Sequence, residues 1–168
     1  MLVFIAVAVL STYSCKKDVL RFKKVQQLNS NTTNRLNHIH FLSDSVCIAA
    51  GGIQFAQSEV IRSVDGGYTW VANSFADAPK EMFGMGVTSN GDIYLSGVDG
   101  DVVYSKDAGA SWQFNRINDW LVYVGGSFIT QDTGIFVSSV LQRESTITRV
   151  DANFKILDEQ TFQFGLND

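Results

Sequence analysis

The sequence predicts an all-β chain: three four-stranded units in succession and the first strand of a fourth. Three observations carry that prediction. The stretch "RSVDGGYTW" (Arg62 to Trp70) returns about forty positions later as "YSKDAGASW" (Tyr104 to Trp112), the length of one four-stranded repeat. The apolar runs are about four to eight residues long and alternate or are wholly apolar, with no sustained helical period. Turn residues cut these runs at hairpin spacing, most clearly "NG" at Asn90 and Gly91.

The N-terminus reads as an address. In "MLVFIAVAVLSTYSCKKD" the apolar run Leu2 to Leu10 falls well short of the about 20 residues a membrane-spanning helix needs, and it suits the core of a signal peptide. "STYSC" resembles the lipobox of bacterial lipoproteins, through Ser14 and the lipid-attachment candidate Cys15; Thr12 and Tyr13 depart from it. The resemblance implies a signal peptide over residues 1–14, then a lipid anchor and polar linker over 15–36. The expected location is outside the cytoplasm, on the periplasmic or surface face of a bacterial membrane, the outer membrane first. Acyl chains would hold the chain there without a transmembrane helix.

Residues 37–168 supply the repeats. In the first unit, "NHIHFLS", "SVCIAAGG", "EVIRS" and "TWVANSF" read as strands. In the second, "MFGMGVTS", "DIYLSGV", "VVYS" and "WQFNRI" do so, with "DGD" at Asp99 to Asp101 as a turn. The third, "VYVGGSFIT", "GIFVSSV", "STITRV" and "FKILDEQ", keeps Asp151 at its last turn but has Asn153 at the glycine position and no Trp. "TFQFGLND" reads as the start of a fourth unit. Strand-only units of this length fit the blades of a β-propeller. Three blades and a strand do not close a ring, so the expectation is a portion of a longer protein or an oligomer that completes it.

Composition narrows the partners. A chain of 168 residues, 45% hydrophobic and with one Pro, can build a packed domain. Five basic residues cluster in "KKDVLRFKK"; elsewhere acidic residues outnumber basic ones about twofold, which argues against a nucleic-acid partner. Cys47 is the only cysteine besides Cys15 and sits in an apolar run, where a buried thiol is expected. His38 and His40 are close in sequence to Cys47, but no third ligand accompanies the two histidines, and neither a metal site nor a cofactor is expected.

The repeated octets, Ser63, Asp65, Gly67, Thr69 and Trp70, then Ser105, Asp107, Gly109, Ser111 and Trp112, resemble Asp-boxes, also called BNR repeats. With "FLSDSVCIAAGG" ahead of the first, the layout is most similar to the photosystem II assembly/stability factor-like group of Asp-box propellers. That resemblance implies a turn between a blade's third and fourth strands, facing away from the ligand side. The residue types suit such a turn. Asp accepts backbone N–H groups, Gly permits positive φ, the hydroxyls tie the arms, and Trp covers the hairpin.

Function is therefore expected on the opposite face, from the second-to-third-strand loops and the inter-blade connections. A long loop, "GGIQFAQSE", offers Gln54, Phe55 and Gln57; the connection "NRINDW" offers Trp120, with Tyr123 just beyond. Packing between blades is the competing role for Trp120. The expected function is non-catalytic binding of a protein or glycan. The alternative is a fragment of an Asp-box glycoside hydrolase, sialidase- or endoglucanase-like. The Arg-Ile-Pro motif expected of a sialidase is absent, since Pro79 follows Ala78, and Asp77, Glu81 and Asp119 show no spacing that marks a catalytic pair.

Overall fold

The structure, a computed structural model, describes residues 26–140 and 144–163. The signal-peptide and lipobox readings, including Cys15, lie outside the described residues. Among the described residues, twelve strands form three four-stranded antiparallel sheets, each in chain order. The first holds β1 (Arg35–Phe41), β2 (Cys47–Ile53), β3 (Gln57–Ser63) and β4 (Val71–Asn73). The second holds β5 (Met82–Val87), β6 (Ile93–Gly97), β7 (Asp101–Ser105) and β8 (Gln113–Arg116), with a 3-10 turn at Val98–Gly100. The third holds β9 (Tyr123–Phe128), β10 (Gly134–Val140), β11 (Glu144–Val150) and β12 (Ile156–Gln163). This is a partial β-propeller, and each sheet is a blade.

Strand alternation explains how the blades stack. On the second blade, Ile93, Leu95 and Val103 join Ile48, Ala50 and Val60 of the first blade in one core. Their neighbours Tyr94 and Val102 point the other way, into a second core with Tyr123, Phe136, Val150 and Phe154 of the third blade. Tyr123 and Phe136 are fully buried, and burial of each contributes about 1.5–3 kcal/mol. The innermost strands approach so closely that only glycine fits. A Cβ on Gly86 would lie 2.1 Å from the Gly126 carbonyl oxygen, and one on Gly84 would lie 2.6 Å from Gly125 Cα.

Three expectations change. The loop after β2 is only a three-residue turn, 54–56, closed by Ala56 N–H donating to the Ile53 carbonyl (2.9 Å), because the extra residues lengthen the hairpin. Thr161, Phe162 and Gln163, expected to open a fourth unit, continue β12 and pair with Thr146, Ser145 and Glu144. The polar segment before β1 is not a free linker. Thr32 Oγ1 donates to Glu59 Oε2 (2.6 Å), Asn34 also binds that carboxylate, and Leu28 lies over a groove with Ile39, Phe41 and Trp70. Ile39 and Phe41 on the first blade, and Ile147 and Phe162 on the third, remain exposed apolar groups.

Candidate functional site

The octets sit in the β3–β4 and β7–β8 turns with matching geometry. Ser63 Oγ donates to Asp65 Oδ1 (2.8 Å) and accepts from Gly67 N (2.8 Å). Asp65 accepts Thr69 N at Oδ1 (2.9 Å) and the Thr69 hydroxyl at Oδ2 (2.6 Å). Ser105, Asp107, Gly109 and Ser111 repeat these contacts. These hydrogen bonds, led by the Thr69 and Ser111 hydroxyls, hold both aspartates at about 2. Trp70 Nε1 donates to the Gly67 carbonyl (2.8 Å), and the Trp112 ring packs edge-on against Phe75. All of this is turn architecture, and both carboxylates are saturated by their own loops.

The opposite end is built from the 54–56 turn, the Val98–Gly100 turn and the connections between blades. Backbone bonds stitch these together. Glu81 N–H donates to the Gln54 carbonyl (3.4 Å), Gly100 N–H to Leu121 (2.7 Å), and Ile117 N–H to Gly100 (2.9 Å). Beneath them lie three buried carboxylates, Glu59, Glu81 and Asp101. Glu81 accepts from Asn37 Nδ2 (2.9 Å) and faces Arg35 (3.9 Å). Asp101 accepts from Arg116 Nε (2.7 Å); Arg116 also reaches Asp119 (3.7 Å), and Lys80 pairs with Asp99. Burial raises the Asp101 carboxyl above its ordinary range while Arg116 opposes that rise.

Such carboxylates position loops. Of the glycosidase candidates, Glu81 is buried in its hydrogen bonds, Asp119 pairs with Arg116, and Asp77 is exposed and forms no ion pair among the described residues. Among the polar groups that this end presents to solvent, two aromatic rings stand out. Trp120 is 88% exposed and Phe55 67%, with Gln54 and Gln57 exposed beside Phe55. Trp120 does not pack between blades; its backbone N–H donates to Asn118 Oδ1 (2.9 Å) on the stitched connection.

Tyr123 does not belong to this surface. It is fully buried, its hydroxyl donating to Thr148 Oγ1 (3.0 Å), which in turn donates to Glu159 (3.0 Å). Burial pushes its phenol up to about 12. The strand start at Tyr123 turns its ring into the core between blades, which proximity to Trp120 in sequence does not reveal. Cys47 is buried, and burial raises its thiol. His38 Nε2 contacts the Phe83 carbonyl (2.6 Å), and His40 is exposed. Among the described residues no three His, Cys, Asp or Glu side chains cluster to hold a metal, and no helix is long and apolar enough to cross a membrane.

The charged network escaped the sequence reading. One signal was there to find: Glu59 and Asp101 stand at the same distance before Asp65 and Asp107, a repeated acid at a repeated place.

No protein-family model matches the chain, and neither does the sequence of any curated protein. A solved structure of YCF48 bound to D1 peptide is similar to it, with a TM-score of 0.60 at 15% identity. The match covers 81% of this chain and 41% of that one, so the chain spans less than half of YCF48's length. The likeness is one of fold.

Proposed function

We propose that the chain is a non-catalytic binding propeller, tethered outside the cytoplasm through a lipid on Cys15, whose face opposite the octets captures a protein segment. The octets are read as Asp-boxes, which fix the blades and leave the other end free for contact. The observation that carries the binding reading is Trp120, a large ring 88% exposed on a connection held by backbone hydrogen bonds. Exposed aromatics on rigid supports are the side chains that most often dominate protein contacts. YCF48, similar in fold, is seen with a peptide bound, and the sequence resembles the photosystem II assembly/stability factor-like group. The buried acids argue in the same direction. Glu59, Glu81 and Asp101 are committed to Thr32, Asn34, Asn37 and Arg116, which leaves no opposed free pair among them to act as acid and base.

The test is to pan an immobilised random-peptide library with the full chain and measure the enriched peptides against variants. Trp120→Ala should weaken binding by about tenfold or more, and Phe55→Ala by less. Peptides that bind both variants as well as the parent would overturn the site. The anchor is tested separately by Cys15→Ser in a bacterial host that exports the chain. Release into the soluble fraction is expected, and unchanged membrane retention would overturn the lipid reading.

A further inference from the structure

The end that carries the octets holds a second concavity. A cleft of about 560 Å³ lies between the β5–β6 turn and the β9–β10 turn, within the about 300–1,000 Å³ typical of small-molecule sites. Asn90 and Asp92 form one wall, Gln131 and Asp132 the other. Lys106, the variable residue between Ser105 and Asp107 of the second octet, lines it as well. Tyr94 and Phe128 also line it, their rings 4.9 Å apart between centroids.

Two features separate this cleft from an ordinary gap between turns. Its polar side chains are uncommitted. The turns are braced through backbone groups and threonine hydroxyls: Thr88 N–H to the Asp92 carbonyl (2.9 Å), Asp92 N–H to Thr88 Oγ1 (3.1 Å), Ile129 N–H to the Thr133 carbonyl (2.9 Å). The Asp92 and Asp132 carboxylates, the Asn90 and Gln131 amides and the Lys106 ammonium pair with no described residue, whereas most charges of the opposite end are tied to one another. The second feature is Tyr94. It is 5% exposed and lines the cleft, and its hydroxyl finds no hydrogen-bond partner among the described residues.

The lining selects the ligand. Two carboxylates against one ammonium repel an anion, and no cluster of metal ligands stands among the described residues. What satisfies carboxylates, amides, an ammonium and a phenol together is a molecule bearing several groups that both donate and accept. Adjacent ring hydroxyls do this, while the C–H face of the ring can rest on the exposed Ile129 and the edge of Phe128. Walls fixed by their own turns lose little freedom on binding. We propose that this cleft binds a neutral saccharide of one or two pyranose rings, at a site separate from the Trp120 face.

The experiment is saturation-transfer NMR and calorimetry on the full chain with neutral methyl pyranosides and disaccharides of glucose, galactose, mannose and N-acetylglucosamine. At least one should bind saturably. Asp92→Asn and Gln131→Ala, both at turn positions outside the cores, should each weaken it about tenfold. Tyr94→Phe, which keeps the ring and removes the hydroxyl, should weaken it by a smaller factor, and Trp120→Ala should leave it unchanged. No saturable binding across the panel would overturn the proposal. So would binding that survives Asp92→Asn and Gln131→Ala, or binding lost in Trp120→Ala. Because peptide capture is read through Trp120 alone, failure of either site leaves the other standing.

Discussion

Asp65 and Asp107 each accept a backbone amide and a hydroxyl from the residue four positions on. Their folded values of about 2 lie below the ordinary 3.8, so on acidification the unfolded chain takes up protons first. The stability they contribute is present above pH 3.8 and is lost as the pH falls through about 2. In Asp65→Asn with Asp107→Asn, urea unfolding should therefore show a shallower dependence on pH across that window than in the parent. Arg116 makes a different case. Arg116→Ala leaves Asp101 buried without its cation and should cost about 2 kcal/mol in chemical unfolding, less than the about 3–5 kcal/mol of a fully buried pair because Arg116 reaches solvent.

At the scale of the element, the inner strands are set by glycine and the turns by their aspartates. The third blade makes the second point. Asp151 Oδ1 accepts Asn153 N and Lys155 N (both 2.9 Å), so the Asp keeps its place in the turn after the octet's glycine and tryptophan have gone. Phe154, at positive φ there, turns into the core and contacts Tyr104 and Phe128 (centroids 5.2 Å each). Where β5 meets β9, Gly86→Val would drive its Cβ into the Gly126 carbonyl. The expected loss is about 3 kcal/mol, seen as a lower melting temperature. A parent-like melt would show that the two strands can separate without consequence.

Across the whole molecule, stability resides in the two cores between blades, and the second blade contributes one face to each. A stack of this kind answers damage locally, since each unit leans only on its neighbours. Phe136→Ala should cost about 3–5 kcal/mol and speed amide exchange in β9, β10 and β11 first. Protection in β2 and β3 should fall less. Uniform loss across all three sheets would mean that the blades unfold as one unit.

The blade pattern was legible in the residues themselves. Asp65 and Asp107 at blade spacing, Asn90–Gly91 between two apolar runs, and the short apolar run of β6 are local chemistry, and local hydrogen bonds enforce the turns wherever the chain goes. Trp120 could be singled out as lying outside an octet, but its exposure could not be read, because nothing in "NRINDW" says whether a neighbouring blade covers the ring. The reading of Tyr123 as a surface residue failed for the same reason: its burial depends on Phe136 and Thr148, which come from other strands. What the sequence by itself determined was therefore the repeat, its strands and its turns, set by interactions within one hairpin. Only the tertiary structure decided which side chains lie between blades and that Asp92 and Gln131 face one cleft. Those are meetings of distant segments, and packing between the blades, which no local pattern encodes, brings them about.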